Sequence, residues 1–128
     1  MIGNAMVGSN KLTEAKAFYD ELLAVIGAKP MMDHHSGGRI YAVAPDKPMF
    51  GVLGPHNGEP ATAGNGTMVS FQTDSREQVD QLHAKAIELG GTDEGAPGIR
   101  GDNPDGFYGA YFRDLDGNKL CAYRFGPA

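Results

Sequence analysis

Apolar residues recur at Ala15, Phe18, Leu22 and Val25 along residues 13–26. That spacing of i, i+3, i+7 and i+10 draws one face of an amphipathic helix. Thr13 is placed to cap its start and Gly27 to end it. The same stripe returns as Val79, Leu82, Ala86 and Leu89 along residues 75–89, displaced by 64 residues. There Ser75 and Gln78 have capping-box spacing, and Gly90-Gly91 mark the stop.

Around each helix the pattern changes to period two or to short apolar runs, the mark of strands. Residues 2–8 and 66–72 enter the helices through polar turns, and the 64-residue displacement superposes them as well. Residues 29–33, 39–44 and 49–54 follow the first helix; residues 92–97, 107–113 and 119–125 follow the second. The chain therefore reads as two βαβββ halves, 1–55 and 66–128, joined by a Gly- and Pro-rich linker over 55–66. One half is too small to bury its own sheet face. Together they predict a single α+β domain: one curved, mixed eight-stranded sheet, with helices on its convex side and a cleft on its concave side. Alternation sends Ile2, Asn4, Met6, Met68, Ser70 and Gln72 to the cleft, and Ala5, Val7, Val69, Phe71 and Thr73 to the helices.

Composition narrows the function. Nineteen glycines in 128 residues, without a G-X-Y period, mean many tight turns and short strands. A net charge of −5 and the lack of any basic run argue against a nucleic-acid partner or an anionic membrane surface. No apolar run approaches the ~20 residues of a membrane span. A lone cysteine excludes an intrachain disulfide and permits a reducing compartment, so the cytoplasm is the expected location. No Ser-His-Asp set, P-loop or dinucleotide fingerprint is present. His34 and His35 precede Ser-Gly-Gly and read as turn residues, since neighbours in a strand point to opposite faces. The Asp114–Asn118 run lacks the spacing of a calcium loop.

Three segments carry a resemblance. Val7 to Leu23, V-G-S-N-K-L-T-E-A-K-A-F-Y-D-E-L-L, and Met68 to Asp80, M-V-S-F-Q-T-D-S-R-E-Q-V-D, resemble the strand–helix entries of the vicinal oxygen chelate superfamily. That superfamily holds glyoxalase I, extradiol dioxygenases, and fosfomycin- and bleomycin-resistance proteins. The closing F-R-D-L-D-G-N-K-L resembles its Phe-x-Asp-Pro-Asp-Gly-Asn-x-Ile ending, with Leu115 in place of Pro. The resemblance implies a homodimer and four cleft positions that hold a divalent ion, such as Zn, Ni, Mn or Fe, in the family's enzymes. Those positions fall on Asn4, Met68, Cys121 and one residue within 49–54. An amide, a thioether and a thiol are poor ligands for such ions, although soft Cys and Met suit Cu(I).

No metal cofactor is therefore expected, and Cys121 reads first as a small apolar filler facing the cleft, with Lys119 and Tyr123 on its strand face. In this family the loop before the last two strands often edges the site. Here residues 90–109 form the longest stretch without a helical period, and the resemblance nominates Arg100, Phe107 and Tyr108, with Arg100 suited to an anionic group. The expected ligand-binding set is thus Asn4, Met68, Ser70, Gln72, Arg100, Phe107, Tyr108, Cys121 and Tyr123. The leading functional reading is a metal-free binder of a small organic molecule. The alternatives are a glyoxalase-like lyase or dioxygenase with displaced metal ligands drawn from Asp33, His34, His35 and Asp102, and a dimerising scaffold without a ligand.

Overall fold

A computed structural model describes residues 1–128. The chain runs β1 (Asn4–Gly8), α1 (Leu12–Ala24), β2 (Lys29–Asp33), β3 (Arg39–Ala42), β4 (Met49–Leu53), β5 (Val69–Gln72), α2 (Arg76–Glu88), β6 (Thr92–Arg100), β7 (Phe107–Arg113) and β8 (Lys119–Phe125). No helix is long and apolar enough to cross a membrane.

The α1 stripe buries Ala15, Phe18 and Leu22 as expected and widens to include Tyr19 and Leu23. The helix starts at Leu12, so Thr13 lies inside it and is not its cap; Lys11 holds the N-cap position without a side-chain cap, and the Ser9 hydroxyl accepts the Lys11 amide at 3.0 Å. Gly27 ends it at φ +76°, donating to the Ala24 carbonyl while Ala28 donates to that of Leu23. On α2 the Ser75 hydroxyl accepts the Gln78 amide at 3.1 Å. The Gln78 side chain reaches back to the Asp74 amide at 2.8 Å, one residue further than the simplest capping box.

The strands fall into two four-stranded mixed sheets, ordered β1-β4-β3-β2 and β5-β8-β7-β6, rather than one hydrogen-bonded sheet of eight. The duplication holds in the register: β1 lies parallel to β4 with Met6 opposite Gly51, and β5 lies parallel to β8 with Ser70 opposite Cys121. Residues 92–100 are all strand, which extends the expected run 92–97 by three residues into the long stretch without a helical period. The strand is an edge strand, and two register shifts against β7, around Gly95 and between Gly95 and Gly98, absorb its glycines and Pro97.

The sheets stay separate because they share one core. Val7, Tyr41, Phe50 and Val52 from the first sheet, both helix stripes, and Phe71, Ala110, Phe112, Leu120 and Ala122 from the second form a single buried cluster. The Phe50 and Phe71 rings meet edge to face with centroids 5.1 Å apart. The helix-bearing faces of both sheets thus turn toward common ground, and the opposite faces turn away from it.

A polar clasp fixes this arrangement. The buried Asp114 carboxylate accepts the Asp116 and Asn118 amides and the Asn118 side-chain amide, each at 2.9 Å, and the Tyr19 hydroxyl from the other half of the chain. Asn118 also donates to the Gly8 carbonyl at 2.9 Å, and Asp116 accepts the Asn10 amide at 2.9 Å. Burial, then the Asp114 charge, pushes the Tyr19 hydroxyl far above its ordinary pKa, so it remains a neutral donor.

Replacing Asp114 by Ala strands several buried donors and is expected to cost about 3 kcal/mol. Chemical denaturation should show that loss, with a melting temperature lower by roughly 10 °C. A change below 1 kcal/mol would remove the clasp from the account of the fold.

Candidate ligand-binding face

On β1 and β5 alternation sorts the side chains as expected. Val7, Phe71 and Thr73 are buried against the helices, while Asn4, Met6, Ser70 and Gln72 are exposed on the helix-free faces. Met68, just before β5, is exposed too.

The helix-free face of the first sheet is largely apolar. A side chain at Gly51 would collide with the Met6 sulfur and crowd Ile40, so these residues pack side by side there. Exposed Met32, paired with Ile40, extends the surface.

The equivalent face of the second sheet is aromatic and cationic. Phe107, Tyr111 and Arg113 of β7 share it with Lys119, Cys121 and Tyr123 of β8. The Phe107 and Tyr123 rings are stacked, 10° from parallel with centroids 5.2 Å apart. Phe107 can lie there because Gly109, opposite Tyr123, has no side chain; a β-carbon at that position would strike the Phe107 ring. Arg100 runs back along β6 and donates to the Gly98 carbonyl at 3.0 Å and the Ala96 carbonyl at 2.8 Å. Its guanidinium carbon is 5.3 Å from the Tyr111 ring centroid, and the Lys119 ammonium lies 5.4 Å from the same centroid.

Of the expected residues, Arg100, Phe107, Cys121, Tyr123, Ser70 and Gln72 come together on this sheet. Asn4 lies on the first sheet. Tyr108 is on the helix side of β7, where it packs on the core, donates to Asp80 of α2 at 2.6 Å and sits 5.1 Å from the Arg76 guanidinium. That hydrogen bond, ahead of burial, raises its pKa. Strand alternation separates Tyr108 from Phe107, although both are nominated together from the resemblance of the 90–109 stretch rather than from alternation along the expected strand 107–113. The expected set passes over Tyr111 and Arg113 although they lie on the expected strand 107–113, because its alternation runs along β1 and β5 and not along that strand, and Lys119 reads from sequence only as a strand-face neighbour of Cys121. The period-two series Phe107, Gly109, Tyr111 and Arg113 is the signal that identifies this face.

Cys121 is fully buried on that face. Burial pushes its thiol up; Ser70, Arg100 and Lys119 pull the other way and lose. At neutral pH the group is a thiol, not a thiolate, which leaves it a poor nucleophile.

The register resolves the open fourth ligand position to Gly51, the counterpart of Cys121. Asn4, a glycine without a side chain, Met68 and a single cysteine supply too few suitable donors to hold a divalent ion. No group of three or more His, Cys, Asp or Glu side chains comes together to hold one. Three of the four reserve residues have local roles, and Asp102 lies in the exposed turn after β6, away from them. Asp33 pairs with Arg39 at 2.9 Å, the His34 Nδ1 meets the Ser36 hydroxyl at 2.9 Å, and His35 stacks on His34.

The model of the Glyoxalase/Bleomycin resistance protein/Dioxygenase superfamily matches residues 2–122. The crystal structure of a glyoxalase/bleomycin resistance protein from Albidiferax ferrireducens T118 is 44% identical, with a TM-score of 0.87 over 97% of this chain and 98% of that one. A glyoxalase/bleomycin resistance protein/dioxygenase family enzyme from Burkholderia phytofirmans PsJN shares the fold at 21% identity, TM-score 0.71, over 96% and 97% of the two chains. A glyoxalase-related enzyme from Fulvimarina pelagi does so at 16% identity, TM-score 0.72, over 97% and 87%. No curated protein matches the sequence.

The Cys121 environment predicts slow chemistry. Iodoacetamide at pH 8 should modify the folded protein at least about ten-fold more slowly than the denatured chain, since only exposed thiolate reacts. Mass spectrometry of timed samples measures this, and equal rates would mean the thiol is neither buried nor held protonated.

Proposed function

Since this chain belongs to the glyoxalase/bleomycin resistance protein/dioxygenase superfamily, we propose that it binds a small organic molecule without a metal, in a cleft completed by a second copy of itself. The observation that carries this reading is the second sheet's helix-free face. It gathers stacked rings and two cations without a carboxylate partner, in a chain whose inherited ligand positions hold too few suitable donors. Rings with a few placed polar groups are the ordinary lining of a small-molecule site.

The dimer rests on the sheet edges. β1 and β5 each end their sheets with one side unpaired, and such open edges are usually covered. Exposed Ile2, Met6 and Met68 lie along or beside these edges. A cavity of about 610 Å³ lies between them, lined largely by apolar residues including Ile2, Ala5, Phe50, Met68 and Val69. In a two-fold pair the β1 edge of one protomer meets the β5 edge of its partner, twice over, so one contact closes both clefts. Each cleft then has one methionine-rich wall and one aromatic, cationic wall. A lyase or dioxygenase would instead need imidazoles or carboxylates in the cleft, where neither wall offers a set.

Light scattering should give twice the 13.5 kDa chain mass, and Met6→Glu with Met68→Glu should shift it toward the single-chain value. Gently purified protein should hold less than about a tenth of a metal ion per chain, with a melting temperature unchanged by chelator, because a tightly bound ion would stabilise it by mass action. Near-stoichiometric metal with a chelator-sensitive melt overturns the metal-free reading; a monomer overturns the shared cleft.

A further inference from the structure

Resting on that reading of the cleft, we infer that its ligand is a flat aromatic ring bearing a carboxylate or comparable anionic group. The inference starts from a charge that the fold itself does not need. Arg113 and Lys119 are directly opposite each other across β7 and β8, an arrangement of like charges that weakens a sheet. Arg113 is neutralised, donating to Glu94 at 2.6 Å and to the Gly117 carbonyl at 2.9 Å. Lys119 is not: it forms no ion pair, and neither does Arg100. In a chain of net charge −5, two unneutralised cations converge on one tyrosine ring.

Arg100 is held in place without being neutralised. It donates only to backbone carbonyls. Glycines make that path possible: a β-carbon at Gly95 or Gly98 would crowd the guanidinium at 3.2 or 3.3 Å. The side chain therefore lies along a strand trimmed of side chains, fixed next to Tyr111 with its charge uncancelled. Arg100 reaches the Tyr111 ring from β6 and Lys119 reaches it from β8, so an anion beside that ring has a pre-positioned guanidinium on one side and an ammonium on the other.

The rings set the other half of the ligand. The Tyr111–Cys121 pair and the Gly109–Tyr123 pair are successive same-face rows of the sheet. Two residues along a strand span about 7 Å. The cation row and the stacked Phe107–Tyr123 row are thus separated by roughly the length of one aromatic ring with its carboxylate. With the anion on the cations beside Tyr111, the ring reaches Phe107 and Tyr123. Ser70, beside Cys121, and Gln72, beside Tyr123, flank the same two rows and offer neutral hydrogen-bonding groups. On the Lys119 side there is room for a larger anionic group: Lys119 and Arg113 border a polar cavity of about 560 Å³ closed by the linker around Gly64–Thr67.

The test is an NMR titration of the full-length, isotope-labelled protein with benzoate, benzamide and cyclohexanecarboxylate as probes. Benzoate should saturate, with its largest shifts at Tyr111, Lys119 and Tyr123. Benzamide, the same shape without the charge, should bind at least about ten-fold more weakly. Cyclohexanecarboxylate, the same charge without the flat ring, should lose several-fold. Lys119→Gln and Arg100→Gln should each weaken benzoate toward the benzamide value, with melting temperatures showing that the variants remain folded. Benzamide binding as tightly as benzoate overturns the anion assignment while leaving the cleft reading intact. Cyclohexanecarboxylate equal to benzoate overturns the aromatic assignment. Saturation at the Asn4–Met6 wall moves the site off this face and overturns the inference. No saturable binding by any probe overturns both the inference and the small-molecule reading beneath it.

Discussion

Asp114 brings the two halves of the chain into one body. Its carboxylate sits in the turn between β7 and β8, yet it takes the hydroxyl of Tyr19 from α1, while Asn118 from the same turn holds the end of β1. A buried carboxylate is tolerated only when its lone pairs are filled, and here donors from both halves fill them. The turn's geometry makes this possible. Gly117, at φ +88°, lets the chain reverse so that the Asp116 and Asn118 amides point back at Asp114. Once the clasp is closed, the helix stripes and inner sheet faces have one core to share. The remaining sheet faces lie outside it, available for other use.

Duplication with divergence follows from that division. The inner faces keep the same apolar character in both halves, because both serve the same core. The outer faces carry no such obligation, and they have separated. Where the second half has Ser70 opposite Cys121, the first has Met6 opposite Gly51. One wall became soft and apolar, suited to adapting its shape around a hydrophobic body. The other gathered rings and charge, which fix orientation. A cleft that combines them would have its affinity from one wall and its selectivity from the other.

The sequence disclosed what is periodic and local. Helix stripes, their glycine stops and the repeated βαβββ order all depend on neighbours within a few positions, and they stand as read. The separation into two sheets depends on Phe50 meeting Phe71 and on Tyr19 meeting Asp114, contacts between residues far apart in sequence that no local pattern encodes. The site was half legible for the same reason. Arg100, Phe107, Cys121 and Tyr123 were nominated, but Gly- and Pro-rich composition hid the extension of the strand from residue 97 to Arg100. The alternation that separates Tyr108 from Tyr111 was present in the expected strand 107–113, but the face that the core takes is fixed only by packing against α2. Edge position and two register shifts are what allow such a composition to remain a strand.

Those same glycines link fold to function. A β-branched residue at 95 or 98 would strengthen β6 by ordinary strand preference, and a side chain at 109 would add cover over β7. Each would also displace a group: the Arg100 guanidinium in the first two cases, the Phe107 ring in the third. The sheet thus gives up local strand strength at positions where a larger residue would disturb the outer face. Its glycines keep Arg100 and Phe107 low against the backbone, side by side with Tyr111 and Tyr123, so the face is organised before any ligand arrives. Such order is unnecessary for a surface that only needs solubility, and it is what a binding wall requires if selectivity is to come from geometry rather than from rearrangement on contact.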